Sequence, residues 1–367
     1  MTGSETELLG VLQKDMTIYG RSAQELSERW RAGPRRSSYD GGTYEVSREP
    51  RRTSRNGHRR DLADEASRVT IHSFAAPFPL AMIAPRPPRR SVLFMPASNV
   101  RALQKARQLP ADAVIFDLED AVAPDAKAQA REQACAHVRD GGYGSREVLV
   151  RINRLDTAWG HEDLAAVAAV PVAGVVLPKV DHAGPAEECV QRLRALGSQA
   201  PVWPMIESPA GVLQVEAIAA TSGLGALVMG TNDLLKDLGA IDHGDRRALL
   251  YALSRTVAAA RAFGLGVLDG VTPSFDDLDA LRQVCLQGRE LGFDGKTLIH
   301  PRQIEPANAA FGPSADEVAR ARQWVAAWEA AGPAPGVIAV EGEMIEALHI
   351  EQARRVLALA RTLALPH

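Results

Sequence analysis

The sequence predicts an α/β protein built on a (β/α)8 TIM barrel, with a disordered N-terminal extension and extra C-terminal helices. Two observations predict the barrel. From Arg90 onward, continuous apolar runs of strand length alternate with stretches of helical period, as in parallel sheets covered by helices on both faces. This alternation occurs eight times, and eight such units are the number that closes a parallel sheet into a barrel.

Each predicted strand is a short apolar run that ends in polar or turn-forming residues. In chain order the runs are SVLFMPA, AVIFDLED, EVLVRIN, GVVLPKV, PVWPMIES, GALVMGTND, GVLDGVTP and TLIHP. Between them lie helical stretches such as KAQAREQACAHVRD, PAEECVQRLRAL and RRALLYALSRTVAAARAF. A doubly wound open sheet is the alternative, because strand number does not prove closure. The absence of GxGxxG after the first strand counts against that alternative.

Composition divides the chain into three parts. Residues 1–85 contain RRSSYDGGTYEVSREPRRTSRNGHRR, which cannot bury a core and predicts a disordered basic extension. Met82 lies just before the apolar pattern begins and is an alternative start of translation. We assign residues 86–312 to the catalytic barrel and residues 313–367 to a helical extension. Its helices are predicted near Ser314–Ala331 and Glu343–Leu363, on either side of a Pro/Gly hinge at Gly332–Gly336.

Charge and cysteine content exclude several classes of protein. A net charge of −3 provides no global field for nucleic acid or an anionic membrane. The chain has no apolar run of membrane-spanning length and no secretory-signal pattern. Cys135, Cys189 and Cys285 are far apart and form no CxxC, so we expect neither a zinc site nor disulfides. These features favour a cytoplasmic enzyme.

Two carboxylates carry the functional prediction. Glu207 closes the fifth predicted strand and Asp233 the sixth, so both should lie at the end of the barrel where reactive groups sit. Neighbouring carboxylates repel each other unless a cation lies between them, and oxygen ligands without a thiol favour Mg²⁺. Glu207 and Asp233 are therefore the candidate metal ligands. Their alternative role is to cap the helices that follow them.

The other strand ends also supply polar residues, which are Asp117, Glu119, Asp120, Arg151, Asn153, Ser208, Asn232, Asp269 and His300. Several of these lie in longer motifs, RSVLFMPASN, DAVIFDLEDAVAPDAKAQAR, VRIN, PMIESPAGV, MGTNDL and GFDGKTLIHPRQI. From about Arg90 to Ala360 the chain resembles the citrate lyase β-subunit and malyl-CoA lyase family, the CoA-ester lyases of the HpcH/HpaI aldolase superfamily. The resemblance implies that Glu207 and Asp233 hold Mg²⁺, and that Arg151 and Glu207 bind the substrate.

Residue chemistry supports the same site. Cleavage of a C–C bond next to a thioester leaves negative charge on an enolate oxygen, which fixed positive groups stabilise. Mg²⁺ can chelate an α-keto or α-hydroxy acid, and Arg151 offers a permanent charge on a planar donor fork. A surface arginine at a strand end is the alternative interpretation of Arg151.

The DLED segment crowds three acids at one strand end. Strand alternation places Asp117 and Glu119 on one face and Asp120 on the other. We expect Glu119 to face the site as a catalytic residue that orients Arg151 or a metal-bound water, with a purely structural role as the alternative. Asp120 is expected to cap the next turn.

Three further strand-end residues are interpreted as structural. His300 precedes a proline and is expected to support the local fold rather than the chemistry. Asp269 and Lys296 are expected to form ion pairs within the barrel.

Two departures from related patterns bear on the substrate. The free-acid aldolases of the superfamily carry a histidine in and near the segment that here is DLED, so its absence favours CoA esters. The C-terminal GEMIEALH resembles malyl-CoA and citramalyl-CoA lyases, except that Glu346 replaces an Asp that reaches the neighbouring subunit's site. One extra methylene displaces the carboxyl by about 1 Å, which can change a rate about 10²-fold. We expect Glu346 to be catalytic and to lie on the last helix, with Met344 and Ala347 in its core.

The sequence therefore predicts a Mg²⁺-dependent C–C lyase. Its substrate would be a malyl-, citramalyl- or citryl-type 3-hydroxyacyl-CoA, cleaved through an enolate into an acyl-CoA and a 2-oxo acid. The alternatives are an aldolase that acts on free 2-oxo acids, and a catalytically weak partner subunit. The resemblance also implies a homo-oligomer, a trimer or a hexamer, with no nucleic-acid or membrane partner.

Overall fold

The computed structural model describes residues 87–242, 244–332 and 336–364. The N-terminal extension that was predicted to be disordered and the alternative start at Met82 lie outside the described residues, as does most of the predicted hinge. The barrel strands are β1 (Ser91–Pro96), β2 (Ala113–Asp117), β3 (Glu147–Arg151), β4 (Gly174–Leu177), β5 (Val202–Ile206), β6 (Ala226–Met229), β7 (Gly266–Asp269) and β8 (Gly295–Leu298). Each agrees with one of the predicted runs.

The eight strands form one closed barrel, which confirms the predicted fold class. Every neighbouring pair is parallel, and β8 pairs with β1 through Ser91 opposite Lys296 and Leu93 opposite Leu298. Closure removes both sheet edges and excludes the doubly wound alternative.

Helices cover the outside of the barrel and continue beyond it. They are α1 (Val100–Ala106), α2 (Lys127–Asp140), α3 (Gly160–Ala168), α4 (Ala183–Ala195), α5 (Pro209–Leu213), α6 (Val215–Ala219), α7 (Thr231–Asp237), α8 (Leu250–Ala262), α9 (Leu278–Leu291), α10 (Ile304–Phe311), α11 (Ala315–Ala330) and α12 (Ala347–Ala364). Short 3-10 helices lie at Pro124–Ala126, Arg247–Leu249 and Pro301–Gln303. Among the residues that the structure describes, every helix is too short or too polar to span a lipid bilayer.

Two apolar layers follow from strand alternation. The apolar barrel interior contains inward-facing residues of β1 to β7, including Ile115, Leu149, Trp203 and Met205. The intervening residues pack against the helices in a larger core. Because the pattern repeats every second residue, it determines which strand-end side chains face the barrel axis.

The C-terminal extension differs from the prediction. A hairpin of β9 (Val337–Val340) and β10 (Glu343–Glu346) precedes α12, so Glu346 lies on a strand and not on the helix. Val340 and Ile345 pack with Ile350 of α12 in a small separate core, whereas Met344 is 65% exposed. Ile345 is the one buried side chain of EMIE, and the antiparallel pairing of β10 with β9 makes this segment a strand, which the helical interpretation of GEMIEALH missed.

The residues interpreted as structural have that role. Asp269 lies within 2.8 Å of Arg246 Nη1 and 3.2 Å of Lys296 Nζ, and all three residues are buried. His300 caps the 3-10 helix at Pro301–Gln303, and its ring stacks on Phe275.

Candidate active site

The alternation of side chains along the strands brings three charged residues to the mouth of the barrel. Asp117, Arg151 and Glu207 each lie two residues beyond an interior residue of their strand, namely Ile115, Leu149 and Met205. They therefore continue the inward-facing rows at the carboxyl ends of β2, β3 and β5, where barrel enzymes carry their reactive groups.

Arg151 is the most constrained of these residues. Its Nε donates to Asp117 Oδ1 at 2.7 Å and its Nη2 donates to Asp117 Oδ2 at 2.6 Å. The guanidinium also lies 4.8 Å from the centre of the Phe94 ring. Burial opposes its charge, but the hydrogen bonds and charge of Asp117 outweigh that effect and raise the pKa of Arg151 above its ordinary value. The side chain is thus a fixed cation, and Nη1 is the guanidinium nitrogen that does not bond to Asp117.

Asp117 is the partner that the sequence analysis did not assign to Arg151. Asp117 and Arg151 are directly opposite each other in the β2–β3 register, and this adjacency creates the two-pronged pair. Asp117 also accepts from the backbone N–H groups of Glu119 and Ala121, at 2.9 and 3.2 Å. It therefore shapes the loop after β2 as well as anchoring the arginine. The sequence did contain a sign of this pair, because Asp117 and Arg151 are each the fifth residue of their predicted strand.

Glu119 and Asp120 both approach the free side of Arg151. Glu119 Oε2 lies 3.0 Å and Asp120 Oδ2 3.8 Å from Nη1. Glu119 therefore lies against Arg151, one of the groups it was expected to orient, and its catalytic role stays a prediction. Asp120 was expected to cap the next turn, but the cap of that turn is Ala123, and Asp120 instead lines a cavity at the mouth of the barrel. The chain leaves the extended conformation after β2, so simple strand alternation no longer applies there.

Glu119 has the properties of an acid–base group. Burial raises its pKa to about 7; Arg151 lowers it, while Asp120 and Glu207 raise it. Its Oε2 is buried within ion-pair distance of Arg151, yet no hydrogen-bond donor among the described residues bonds to it. A carboxyl that titrates near neutral pH and has one oxygen without a hydrogen bond can exchange a proton with a bound molecule.

Glu207 and Asp233 are brought together as predicted, and a lysine lies between them. Lys179 Nζ is 2.6 Å from Asp233 Oδ2 and 3.9 Å from Glu207 Oε1. The backbone N–H of Lys179 donates to Glu207 Oε1 at 2.5 Å. Burial raises the pKa of Glu207, an effect that the Lys179 charge and backbone hydrogen bond oppose. The sequence analysis missed Lys179, although the PK dipeptide at the end of β4 marked a cation at a strand end.

The backbone around the two carboxylates is built for close approach. A Cβ on residue 230 would lie 2.3 Å from both Cβ and Oε2 of Glu207, so only glycine fits beside that carboxylate. Gly230 is also the N-cap of α7, which places Asp233 in the first turn of the helix rather than at its cap. The capping alternative therefore fails for Asp233. At β5 it is Ser208, not Glu207, that caps the next helix by accepting from Gly211 N–H at 3.1 Å.

The donor set fits a magnesium ion. Mg²⁺ is commonly held by one or two carboxylates, with water and substrate completing an octahedron. Glu207 and Asp233 supply two carboxylates that already share one cation, the Lys179 ammonium. Among the described residues no group of three or more His, Cys, Asp or Glu side chains could hold a metal alone. The site therefore suits an ion that takes its remaining ligands from elsewhere.

Five of these charged residues line a cavity of about 450 Å³ at the mouth of the barrel, whereas Glu119 and Lys179 are not among the described residues that line it. Its charged lining comes from Asp117, Asp120, Arg151, Glu207 and Asp233, and its apolar walls include Phe94, Met205, Met229 and Val271. This volume suits a small acid or the acyl end of a larger ligand. Glu346, the third predicted catalytic residue, is not among the described residues that line the cavity.

Comparisons with known proteins agree with this arrangement. The family model for HpcH/HpaI aldolase/citrate lyase matches residues 90–301. The chain is 47% identical over 278 residues to the (3S)-malyl-CoA thioesterase of Cereibacter sphaeroides strain KD131, covering 76% of this chain and 96% of that protein. It is 34% identical over 281 residues to citrate lyase subunit beta of Escherichia coli K12, covering 74% of this chain and 93% of the relative.

A solved structure extends the likeness to three dimensions. The CitE protein of Mycobacterium tuberculosis, in complex with magnesium, acetoacetate and coenzyme A, superposes with a TM-score of 0.64 at 30% identity. The match covers 74% of this chain and 97% of CitE. With the barrel, the strand-end carboxylates and the family match over residues 90–301, the chain belongs to the HpcH/HpaI aldolase/citrate lyase family.

Proposed function

We propose that this protein hydrolyses a malyl-type 3-hydroxyacyl-CoA thioester in a Mg²⁺-dependent reaction. The observation that carries the proposal is the 47% identity to a (3S)-malyl-CoA thioesterase along 96% of that protein's length. The buried Arg151, which lines the cavity, and the neighbouring Glu119, whose pKa is about 7, support it. Water attacks the thioester carbonyl, the C–S bond breaks, and CoA leaves as a thiol with the proton that water loses.

Glu207 and Asp233 would hold the magnesium ion. When bound, the ion supplies a Lewis acid that orients the hydroxy-acid end of the substrate and offsets its charge. The same metal is present in CitE of Mycobacterium tuberculosis, a 30% identical relative. The tight packing of Gly230 against Glu207 fixes one ligand, while Asp233 is anchored on the first turn of α7.

Arg151 and Glu119 divide the remaining chemistry. Negative charge develops on the thioester carbonyl oxygen, and the Nη1 edge of Arg151 is positioned to stabilise it. Asp117 holds the guanidinium in place, so that little reorganisation is required during the reaction. Glu119 takes a proton from the attacking water and returns it to the departing sulfur, since its pKa of about 7 suits both steps.

C–C cleavage is the second candidate, and the same atoms support it. A base removes the proton of the 3-hydroxyl, the C–C bond beside that carbon breaks, and an acyl-CoA enolate and a 2-oxo acid form. The enolate charge falls on the same thioester oxygen that Arg151 faces, and the proton then moves to carbon. The 34% identity to citrate lyase subunit beta favours this candidate.

Products distinguish the candidates. The purified protein is incubated with (3S)-malyl-CoA and Mg²⁺, and the products are separated by liquid chromatography and mass spectrometry. Hydrolysis gives malate and free CoA, whereas C–C cleavage gives acetyl-CoA and glyoxylate. Glu207→Gln is the matched control, because it keeps the side-chain shape and removes the charge of one metal ligand. No turnover of malyl-, citramalyl- or citryl-CoA would contradict both candidates and favour a free-acid aldolase or a weak partner subunit.

We infer further that the protein works as a homo-oligomer, a trimer or hexamer, in which Glu346 completes a neighbouring site. The support is its position on a hairpin outside the barrel, with Val337 and Met344 exposed beside it. A cytoplasmic location is part of the same proposal. All three cysteines are free and buried, as suits a reducing compartment.

A further inference from the structure

Lys179 is a cation built into the space between two carboxylates. Its ammonium lies 2.6 Å from Asp233 and 3.9 Å from Glu207, and its side chain is about one-third exposed. These carboxylates belong to neighbouring strand ends, and Glu207 is only 3% exposed. Without a cation between them, their mutual repulsion and the burial of Glu207 would both disfavour the folded site.

The backbone of Lys179 is specialised for this position. Its φ of 51° lies in the left-handed region, which is sterically costly for a residue with a Cβ. In that conformation its N–H points at Glu207 while its side chain reaches Asp233. One residue therefore contacts both carboxylates, one through the backbone and one through the ammonium. Strained backbone that persists at such a point is associated with a functional constraint.

The Lys179 ammonium and a divalent ion cannot both bind closely to the carboxylates of Glu207 and Asp233. Each is attracted by the same carboxylate oxygens and repels the other at short range. The partial exposure of Lys179 leaves its long side chain an open direction in which to move. The backbone N–H bond to Glu207 does not depend on the ammonium, so this ligand remains held when the side chain leaves.

We propose that Lys179 is the exchangeable counter-ion of the metal site. In the metal-free protein its ammonium pairs with Asp233 and Glu207, and Mg²⁺ binding displaces it. This inference rests on the metal site of the proposed function and adds that metal loading is an exchange of cations. The lysine keeps the empty site folded at the cost of a lower affinity for Mg²⁺.

The test measures Mg²⁺ binding without substrate. MgCl2 is titrated by calorimetry into metal-stripped wild-type protein, Lys179→Met and Lys236→Met. Lys236 is exposed on α7 one turn from Asp233, so its replacement removes the same charge without removing the pair. We expect Lys179→Met to bind Mg²⁺ about tenfold more tightly or better, because the unit charge that competes for the two carboxylates is removed. Lys236→Met should stay within about twofold of wild type.

A second readout is thermal stability. In EDTA, Lys179→Met should melt below wild type because the carboxylate pair has lost its cation, and Mg²⁺ should raise its melting temperature more than that of wild type. If Lys179→Met does not fold, Lys179→Asn replaces it, since asparagine is neutral and tolerates the left-handed region.

The outcomes separate this inference from the function it rests on. If folded Lys179 variants bind Mg²⁺ with unchanged or lower affinity while Glu207→Gln loses binding, the metal site stands and the exchange is wrong. If Glu207→Gln keeps wild-type Mg²⁺ affinity, the metal site is wrong and the exchange is overturned with it. Neither result depends on which thioester is turned over.

Discussion

Replacement of Glu119 by Gln isolates the ionisation of one buried carboxyl at the active site. The folded protein raises the pKa of Glu119 from 4.5 to about 7, chiefly through burial. Because the folded pKa is above the unfolded value, the folded state binds the proton more tightly. The stabilisation that the folded state gains by binding this proton is therefore fully present below pH 4.5 and is lost as the pH rises through about 7.

The magnitude follows from the size of the pKa change. A shift from 4.5 to about 7 corresponds to roughly 3 kcal/mol at about 1.4 kcal/mol for each pKa unit. Glu119 is buried, so little of this is reduced by solvent screening. A glutamine resembles the protonated acid and does not titrate. The unfolding free energy of Glu119→Gln minus that of wild type should therefore increase by roughly 2–3 kcal/mol from pH 5 to pH 8.

The assay is urea unfolding at several pH values in EDTA, followed by circular dichroism. Glu132→Gln is the matched control, since Glu132 is an exposed glutamate on α2 and its replacement should leave the pH dependence nearly unchanged. Comparison of variants at each pH cancels the titration of all other groups. A stability difference between Glu119→Gln and wild type that is the same at pH 5 and pH 8 would refute a carboxyl that titrates near neutral pH.

Three further predictions concern Arg151 and its neighbours. Arg151→Lys should lower kcat about 10²-fold or more despite keeping the charge, because a point donor replaces the fork that Asp117 holds; near-normal steady-state kinetics would show that the side chain only packs. Asp117→Asn should reduce the unfolding free energy by about 3 kcal/mol, since it leaves a buried guanidinium half-paired, and urea denaturation measures this. A change below about 0.5 kcal/mol would mean that Glu119 replaces Asp117 as the partner. Mixing Arg151→Lys subunits with Glu346→Ala subunits should restore some activity if neighbouring chains share sites, and subunit exchange without recovered activity would exclude sharing.

Much of the site could be predicted because local rules operate at strand ends. Glu207 and Asp233 follow apolar runs in consecutive units, and parallel strands bring their carboxyl ends to one rim. The same logic placed Arg151 and Glu119. It did not assign Asp117 to Arg151, because the pair depends on the register between β2 and β3, which no single strand specifies.

Local pattern was a poor guide where the chain leaves regular structure. Asp120 was expected to cap a turn, but the loop after β2 bends it towards Arg151. Glu346 was expected on a helix, but its segment pairs with β9 as a hairpin and packs Ile345 against Ile350 of α12. Both errors arise because a short segment is compatible with more than one conformation, and contacts with distant segments decide between them.

The sequence by itself determined the eight-fold alternation, the barrel and the pair of acids at its rim, since each depends on periodicity along the chain. Tertiary structure alone decided what lies between those acids. Lys179 comes from another strand, and it reaches both carboxylates only because its backbone is left-handed and the closed barrel sets β4, β5 and β6 side by side. Two neighbouring carboxylates repel each other, so a cation between them is favourable. Only the packing of three strand ends makes Lys179 the residue that supplies it.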